Sequence, residues 1–170
     1  MFLLDIGSGE WGAVRDGENR PAAAHGQPPL PTPHPFYFLD LPGYGYARAG
    51  KGERAAFRGL IAGALERPRL AGGIWLLDIR REPSPLDRTM QDLFAARGTR
   101  VLAAVTKSDK LPRERRRLRE RELAAALRLD EDQVIVTSAR TGEGVEELRQ
   151  AVAALVEKAV EWRTGGTADG

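Results

Sequence analysis

The sequence predicts an α/β fold built on a mainly parallel sheet. Short apolar runs, of the kind found in strands buried on both faces, alternate with segments whose apolar residues recur at helical spacing. The 170 residues suffice for one domain with a core of its own. This alternation is typical of right-handed βαβ units, so we expect helices on both faces of the sheet, a three-layer arrangement.

The regular pattern starts at Phe36 and continues almost to the end of the chain. We expect strands at 36–40, 74–79, 101–105 and 134–136, and helices at 53–66, 87–97, 112–128 and 144–161. Pro68 and Gly98 stand where the first two helices should end. Because ligands of such sheets bind at the carboxyl ends of the strands, the residues after each strand are the candidates for a site.

The first 35 residues differ in composition from the rest. Residues 20–35 hold six of the eleven prolines, so this stretch cannot form a helix or a central strand. We therefore expect an atypical segment at 1–35, a domain at 36–162 and a flexible tail at 163–170. Before the prolines, Phe2–Ile6 is strand-like.

Composition limits the class of protein. The net charge is only +2, which excludes a general polycation, and no cysteine is present to form a disulfide or a thiolate metal site. No apolar run approaches the ~18 residues that span a bilayer, and the first residues lack a basic signal-peptide region. We expect a soluble, cytoplasmic monomer.

The strand 36–40 ends at Asp40 and is followed by Leu41-Pro42-Gly43. A carboxylate at a strand end can hold Mg²⁺ through a water molecule, since hard cations prefer oxygen ligands. A glycine three residues later would let a backbone N–H approach a γ-phosphate. The alternative is an ordinary strand-to-turn junction, because this pattern alone is common.

The strand 101–105 is followed by Thr106-Lys107-Ser108-Asp109. The Asp109 carboxylate could accept two parallel hydrogen bonds from the N1 and N2 edge of guanine, which adenine cannot supply. The Lys107 stem could lie over the base and ribose. The alternative is a polar turn in which Asp109 caps the next helix.

The strand 134–136 is followed by Thr137-Ser138-Ala139, where a backbone N–H could contact the guanine carbonyl. A turn, Thr141-Gly142-Glu143-Gly144, then leads into the last helix. Alone this pattern is a weak indication of a site. The order of the three groups and their placement at strand ends are much harder to obtain by chance.

Together these residues resemble the EngB family, GTPases of the TRAFAC class. The resemblance covers 36–160 and lies in Phe36-Tyr37-Phe38-Leu39-Asp40-Leu41-Pro42-Gly43-Tyr44-Gly45-Tyr46-Ala47, in Leu77-Asp78-Ile79-Arg80-Arg81 with Pro83 and Asp87, and in Thr106 where most GTPases have Asn. It implies a Ras-like P-loop NTPase fold that binds GTP or GDP with Mg²⁺. It also implies a role in assembly of the large ribosomal subunit, on its precursor or rRNA, and in cell division and septation.

The resemblance assigns roles residue by residue. It implies that Asp40 to Gly43 sense the γ-phosphate and Mg²⁺, that Thr106 to Asp109 read guanine, and that Thr137 to Ala139 support the base. Tyr44 stands where Ras-like proteins carry a water-orienting Gln, and no general base is evident, so we expect slow hydrolysis.

The phosphate-binding half of the family pattern is missing. No GxxxxGK[ST] loop occurs in the chain, although its backbone N–H groups, lysine and hydroxyl would hold the phosphates and Mg²⁺. We expect an N-terminally truncated domain with weak GTP binding and very slow or absent hydrolysis. The strand that carries this loop is central in Ras-like sheets, and Phe2–Ile6 is the candidate to replace it. The sequence of residues 10–35 also resembles the product of out-of-frame or mis-started translation.

Other readings stay open. Gly7-Ser8-Gly9-Glu10-Trp11-Gly12 matches the GxGxxG of S-adenosylmethionine-dependent methyltransferases, but the segment after it is too short and polar for the required helix. The basic segment 113–121 could contact rRNA phosphates through Arg115, Arg116 and Arg119, or could be a solvated helix face. A nucleotide-independent ribosome- or rRNA-binding module is the remaining alternative.

Overall fold

The computed structural model describes residues 2–6, 36–41 and 51–165 of the chain. The motif at 7–12, the proline-rich stretch, the residues Pro42, Gly43 and Tyr44, and the tail from 166 onward lie outside the described residues. The elements are β1 Phe2–Ile6, β2 Phe36–Asp40, α1 Lys51–Leu65, β3 Leu70–Asp78, α2 Pro85–Ala96, β4 Val101–Thr106, α3 Arg113–Ala126, β5 Val134–Val136 and α4 Val145–Gly165.

The described strands form one sheet in the order β2-β1-β3-β4-β5. β3, β4 and β5 are parallel, with Asp78 beside Thr106 and Val105 beside Val136. β1 lies between β2 and β3, the place predicted for it, but it runs antiparallel to both. β2 and β3 therefore point the same way, and the carboxyl ends of β2, β3, β4 and β5 share one edge of the sheet.

Helices cover the two faces of this sheet unequally. α1, α2 and α3 pack on one face, where Ile61, Met90 and Leu123 belong to the same buried cluster as Trp75. α4 is the described helix on the other face, where Val152, Leu155 and Val156 pack on Leu4, Ile74 and Ala104. Three layers result, which confirms the α/β, mainly parallel prediction.

Two local features fix how helices join the sheet. α2 begins with a capping box, in which the Ser84 hydroxyl accepts from the Asp87 N–H and the Asp87 carboxylate accepts from the Ser84 N–H. At Gly72 a Cβ would come within 2.7 Å of both the Arg100 carbonyl oxygen and the Leu155 side chain. The glycine thus lets α4 approach β3 closely.

The observed bounds differ most from the predicted ones in two places, by four residues each. β3 begins at Leu70, four residues earlier than expected, because Leu70 to Gly73 pair with β1. The two glycines there interrupt the apolar pattern that marks a buried strand. α4 continues to Gly165, beyond the expected end at residue 161, so the first residues of the predicted tail are helical.

Candidate functional site

The loops after β4 and β5 meet at the carboxyl edge of the sheet. The Thr137 N–H donates to the Val105 carbonyl at 2.7 Å, and the Ser108 N–H donates to the Thr137 carbonyl at 3.1 Å. These bonds continue the ladder between the two strands past their ends. The predicted groups Thr106-Asp109 and Thr137-Ala139 are therefore brought together.

Asp109 lies on a single 3₁₀ turn, Ser108–Lys110, directly after β4. Its Oδ1 accepts a hydrogen bond from the Ser138 hydroxyl at 2.8 Å. Its Oδ2 is buried and has no hydrogen-bond donor among the described residues, although Lys110 and Arg140 each place a nitrogen 3.7 Å away. The hydrogen bond from Ser138 lowers the pKa of Asp109, and burial opposes this shift. The result is an ionised carboxylate in which Oδ2 has no donor among the described residues and Oδ1 accepts a single side-chain hydrogen bond.

Ser138 is fully buried and held from three sides. Its hydroxyl accepts from the Thr141 N–H at 3.3 Å, and its own N–H donates to the Glu143 carbonyl at 2.9 Å. The hydroxyl proton is thus directed at Asp109. Ala139 follows on the exposed side of this turn.

Lys107 is anchored by a carboxylate from the neighbouring strand. Its backbone is left-handed, with φ 65°, and its Nζ donates to Asp78 Oδ2 at 3.0 Å. Arg80 donates to both oxygens of the same carboxylate, at 2.9 and 2.7 Å. These contacts, with Arg80 first, hold the pKa of Asp78 well below its usual range. Thr106 ties the two strand ends together by donating its hydroxyl proton to the Leu77 carbonyl at 2.9 Å.

Ser108 is buried and points away from Asp109, toward the last turn before α4. Its hydroxyl donates to Glu143 Oε2 at 2.6 Å. Arg116 Nη1 of α3 donates to both oxygens of Glu143, at 2.8 and 2.7 Å. The hydrogen bond from Ser108 lowers the pKa of Glu143. Burial opposes this shift, and the contact with Arg116 adds to it.

Asp40 stands apart from this group. It is exposed at the end of β2 and pairs with Phe2, which also pairs with Ile74 on the other side. Asp40 is therefore level with Ile74, four residues or about 13 Å short of Asp78 along the strand direction. Leu41 turns into the core beneath α1. No group of three or more metal-ligating side chains occurs in the described ranges, at Asp40 or elsewhere.

Two arginines expected as RNA contacts are used internally instead. Arg116 is 18% exposed and bound to Glu143. Arg119 is 13% exposed and donates to the carbonyls of Ile79 and Arg81, and it also pairs with Glu82. Of the three residues predicted, only Arg115 is exposed. The solvent-facing arginines of α3 are Arg113, Arg115, Arg117 and Arg121.

The GxGxxG motif at 7–12 follows the end of β1 at Ile6. Because β1 is antiparallel to β3, Ile6 lies beyond Asp5, which pairs with Leu70 at the amino end of β3. The chain leaves β1 at the edge opposite Asp109. A phosphate loop placed directly after β1 would therefore start on the wrong side of the sheet for this site.

Sequence reasoning missed Asp78, Glu143 and Arg116 as parts of the site. Asp78 had a usable signal, since it ends a buried strand beside Thr106. Glu143 and Arg116 are separated by 27 residues, and their pairing depends on how α3 packs. Local patterns do not reveal such a contact.

Similarity to known proteins extends over most of the chain. No protein-family model matches it. It is 46% identical over 132 residues to a probable GTP-binding protein EngB of Gemmatimonas aurantiaca, covering 77% of this chain and 64% of the relative. It is 41% identical over 122 residues to the same kind of protein of Syntrophomonas wolfei, covering 71% and 63%. The matched part of the chain is similar to EngB proteins.

The EngB relationship agrees with the fold. A crystal structure of a probable GTP-binding protein EngB superposes with a TM-score of 0.60, over 70% of this chain and 77% of that chain, at 18% identity. The fold is therefore that of an EngB G domain, as the resemblance implied. The chain spans less than two thirds of the length of the two EngB relatives. No helix in the described ranges is both long and apolar enough to cross a membrane.

Proposed function

We propose that this chain binds guanine nucleotides as an EngB-type GTP-binding protein, with the base at Asp109. The observation that carries the proposal is the buried Asp109 Oδ2, an ionised acceptor without a hydrogen-bond donor among the described residues. Such an atom is costly unless a ligand completes it. The N1 and N2 edge of guanine offers two donors, whereas adenine offers an acceptor at N1.

The other base contacts come from the same two loops. The Lys107 stem would lie along one face of the base, with its ammonium fixed at Asp78. The backbone N–H of exposed Ala139 would donate to the guanine carbonyl. Thr106, Thr137, Ser108 and Ser138 would hold these groups in place through the hydrogen bonds described above, without touching the nucleotide at their side chains.

The phosphate side is much poorer. Asp40 would hold Mg²⁺ through a water molecule, and the backbone from Leu41 to Gly43 would line the approach of the γ-phosphate. One carboxylate does not make a magnesium site, so phosphate oxygens and water would supply the remaining ligands. Since the 170 residues contain no GxxxxGK[ST], we expect binding weaker than in a complete EngB protein and very slow or absent hydrolysis.

We extend the proposal to the cellular role that the EngB resemblance implies. This is assembly of the large ribosomal subunit, with a link to cell division and septation, by a cytoplasmic monomer. A nucleotide-independent module that binds the ribosomal precursor or rRNA is the second candidate. The exposed arginines of α3 favour it, because they could contact phosphates without any nucleotide. A working switch would change its affinity for the precursor with GTP, and the module would not.

The test of base recognition is a calorimetric competition between GDP and ADP. We expect GDP to bind more tightly than ADP. Asp109→Asn should abolish this preference, because an amide presents a donor to a donor. Asp92→Asn, an exposed carboxylate on α2, is the matched control and should leave the preference intact. Equal binding of GDP and ADP by the unmodified protein would contradict the proposal.

A further inference from the structure

The turn that carries Asp109 is closed into a ring of side-chain contacts that includes no base-contacting residue. Ser108, one residue before Asp109, is fully buried, and its hydroxyl donates to Glu143 at 2.6 Å. Arg116 binds the same carboxylate. Arg116 Nε in turn donates to the Leu111 carbonyl at 3.0 Å, just past the same turn. The ring thus begins and ends on the segment 108–111.

Glu143 also fixes the second loop of the site. Its carbonyl accepts from the Ser138 N–H, and Ser138 donates its hydroxyl proton to Asp109. Glu143 lies between Gly142 and Gly144, which have φ values of 78° and 67°. These left-handed glycines turn the chain so that the side chain of Glu143 points to Ser108 while its carbonyl points to Ser138. One residue therefore holds both loops.

The contacts are strong for their position. Hydrogen bonds in which one partner is ionised are about twice as strong as neutral ones, and both contacts of Glu143 are of this kind. The lowered pKa of Glu143 agrees with a carboxylate that is stabilised in its charged form. A buried serine whose only acceptor is removed would be left unsatisfied.

We propose that Glu143, together with Ser108 and Arg116, positions Asp109 for recognition of the guanine base. This inference rests on the proposed function. The three side chains bind one another and the Leu111 carbonyl and would not contact a base held at Asp109, so they are positioning residues. Because Asp109 must present two oxygens to two donors at once, a small rotation of the 3₁₀ turn costs one of the two hydrogen bonds. Loss of the ring should therefore lower discrimination at the base more than overall affinity.

The experiment measures the ratio of GDP to IDP affinity, since inosine lacks the 2-amino group that one Asp109 oxygen would accept from. We expect the unmodified protein to prefer GDP by about tenfold, the effect of one hydrogen bond to a charged group. Glu143→Gln should reduce this ratio several-fold. Ser108→Ala should reduce it similarly, and the double variant should show little further loss because the two act through one contact.

Arg119→Gln is the matched control. Arg119 lies on the same helix, is similarly buried and binds the carbonyls of Ile79 and Arg81, so its loss should lower the melting temperature without changing the ratio. If Glu143→Gln or Ser108→Ala does not fold, Arg116→Lys, which keeps the charge near Glu143, should give a partial reduction of the ratio.

The outcomes separate the two claims. A GDP to IDP ratio unchanged in the Glu143, Ser108 and Arg116 variants, with melting temperatures lowered as in Arg119→Gln, would overturn the positioning role and leave the proposed function standing. If the unmodified protein binds GDP and ADP equally, the proposed function fails, and the positioning role fails with it.

Discussion

At the scale of single residues, Asp78 accepts hydrogen bonds from Arg80 and Lys107 with a side chain that is 12% exposed. Asp78 ends β3, and Lys107 follows β4, so the carboxylate spans two strand ends. Its low pKa means that the folded state holds the charged form more firmly than the unfolded chain does.

This pKa predicts how stability changes in acid. Because the folded pKa lies below the unfolded one, Asp78 stabilises the fold above its usual pKa of about 3.9, and this contribution is lost as the pH falls through that value toward the folded pKa. Urea unfolding of Asp78→Asn should therefore show lower stability near neutral pH and a smaller loss between pH 5 and pH 2. Equal acid sensitivity of the two proteins would contradict the assignment.

Much of the site at this scale could be predicted from the sequence. Thr106 to Asp109 and Thr137 to Ala139 follow strands whose apolar runs are unbroken, and parallel strands bring their carboxyl ends to one edge. What could not be predicted is which side chains support them. Glu143 reads as part of a turn, and Arg116 as one of several arginines on a solvated helix. Their partners depend on how α3 packs beside the loop after β5.

At the scale of elements, the loop between β5 and α4 contains two glycines, Gly142 and Gly144, that tolerate a side chain to different degrees. A Cβ on Gly144 would collide with the Val136 carbonyl oxygen, whereas a Cβ on Gly142 would meet nothing within 4 Å. Both have positive φ. Alanine substitutions at the two positions therefore separate the cost of the left-handed backbone from the cost of the steric collision.

Gly142→Ala should cost about 1–2 kcal/mol, the ordinary cost of a left-handed alanine. Gly144→Ala should cost clearly more, because the backbone of β5 must also move. Chemical denaturation of the two variants provides the measurement, and each serves as the control for the other. Similar destabilisation by both substitutions would show that the collision with Val136 is relieved at no measurable cost in stability.

The elements themselves follow from periodicity where the pattern is long. The helices 85–96 and 113–126 and the strands 101–106 and 134–136 lie within a few residues of their predicted bounds. The start of β3 could not be predicted, because Gly72 and Gly73 carry no apolar side chain. They are strand residues through backbone pairing with β1 and close packing of Leu155.

At the scale of the whole molecule, β1 joins β2 to the rest of the sheet. The sequence indicated that Phe2–Ile6 could fill the central place, and the structure confirms it. The direction could not be predicted, since an apolar run reads the same either way and both orientations satisfy the backbone groups of the neighbours. The antiparallel direction of β1 is set by how it pairs with β2 and β3, and no local sequence pattern encodes that pairing.

Leu4 measures how much the fold depends on this strand. Its side chain is fully buried among Ala71, Ile74 and Val156. Leu4→Ala should lower the free energy of unfolding by about 2–5 kcal/mol. Leu60→Ala, a half-exposed leucine on α1, is the control and should cost much less. Urea unfolding followed by circular dichroism measures both. Equal small losses would mean that β1 contributes little to the folded state.

Exposed apolar side chains lie on the face where α4 is the described helix. Phe38 is 49% exposed and Leu76 is 42% exposed, and pairing to Leu4 and the alternation from Ile74 put both on that face. The opposite face, beneath three helices, buries Trp75, Leu77 and Val105. Among the described residues, the imbalance follows from the number of helices on each face and not from the composition of the strands.

Among the described strands, β2 lies at an edge of the sheet, and the strand beside it is the five-residue β1. A nucleotide that contacted both Asp40 and Asp109 would be a bivalent ligand. Once the base is bound, the contact at Asp40 forms at an effective concentration, and this concentration depends on how firmly β1 holds β2 in register. Fraying of β1 would leave base recognition unchanged and lower the effective concentration of the contact at Asp40. The affinity for GTP would then approach that for guanosine as β1 is weakened. Comparing the binding of these two ligands by Leu4→Ala therefore measures how far β1 supports the phosphate contact.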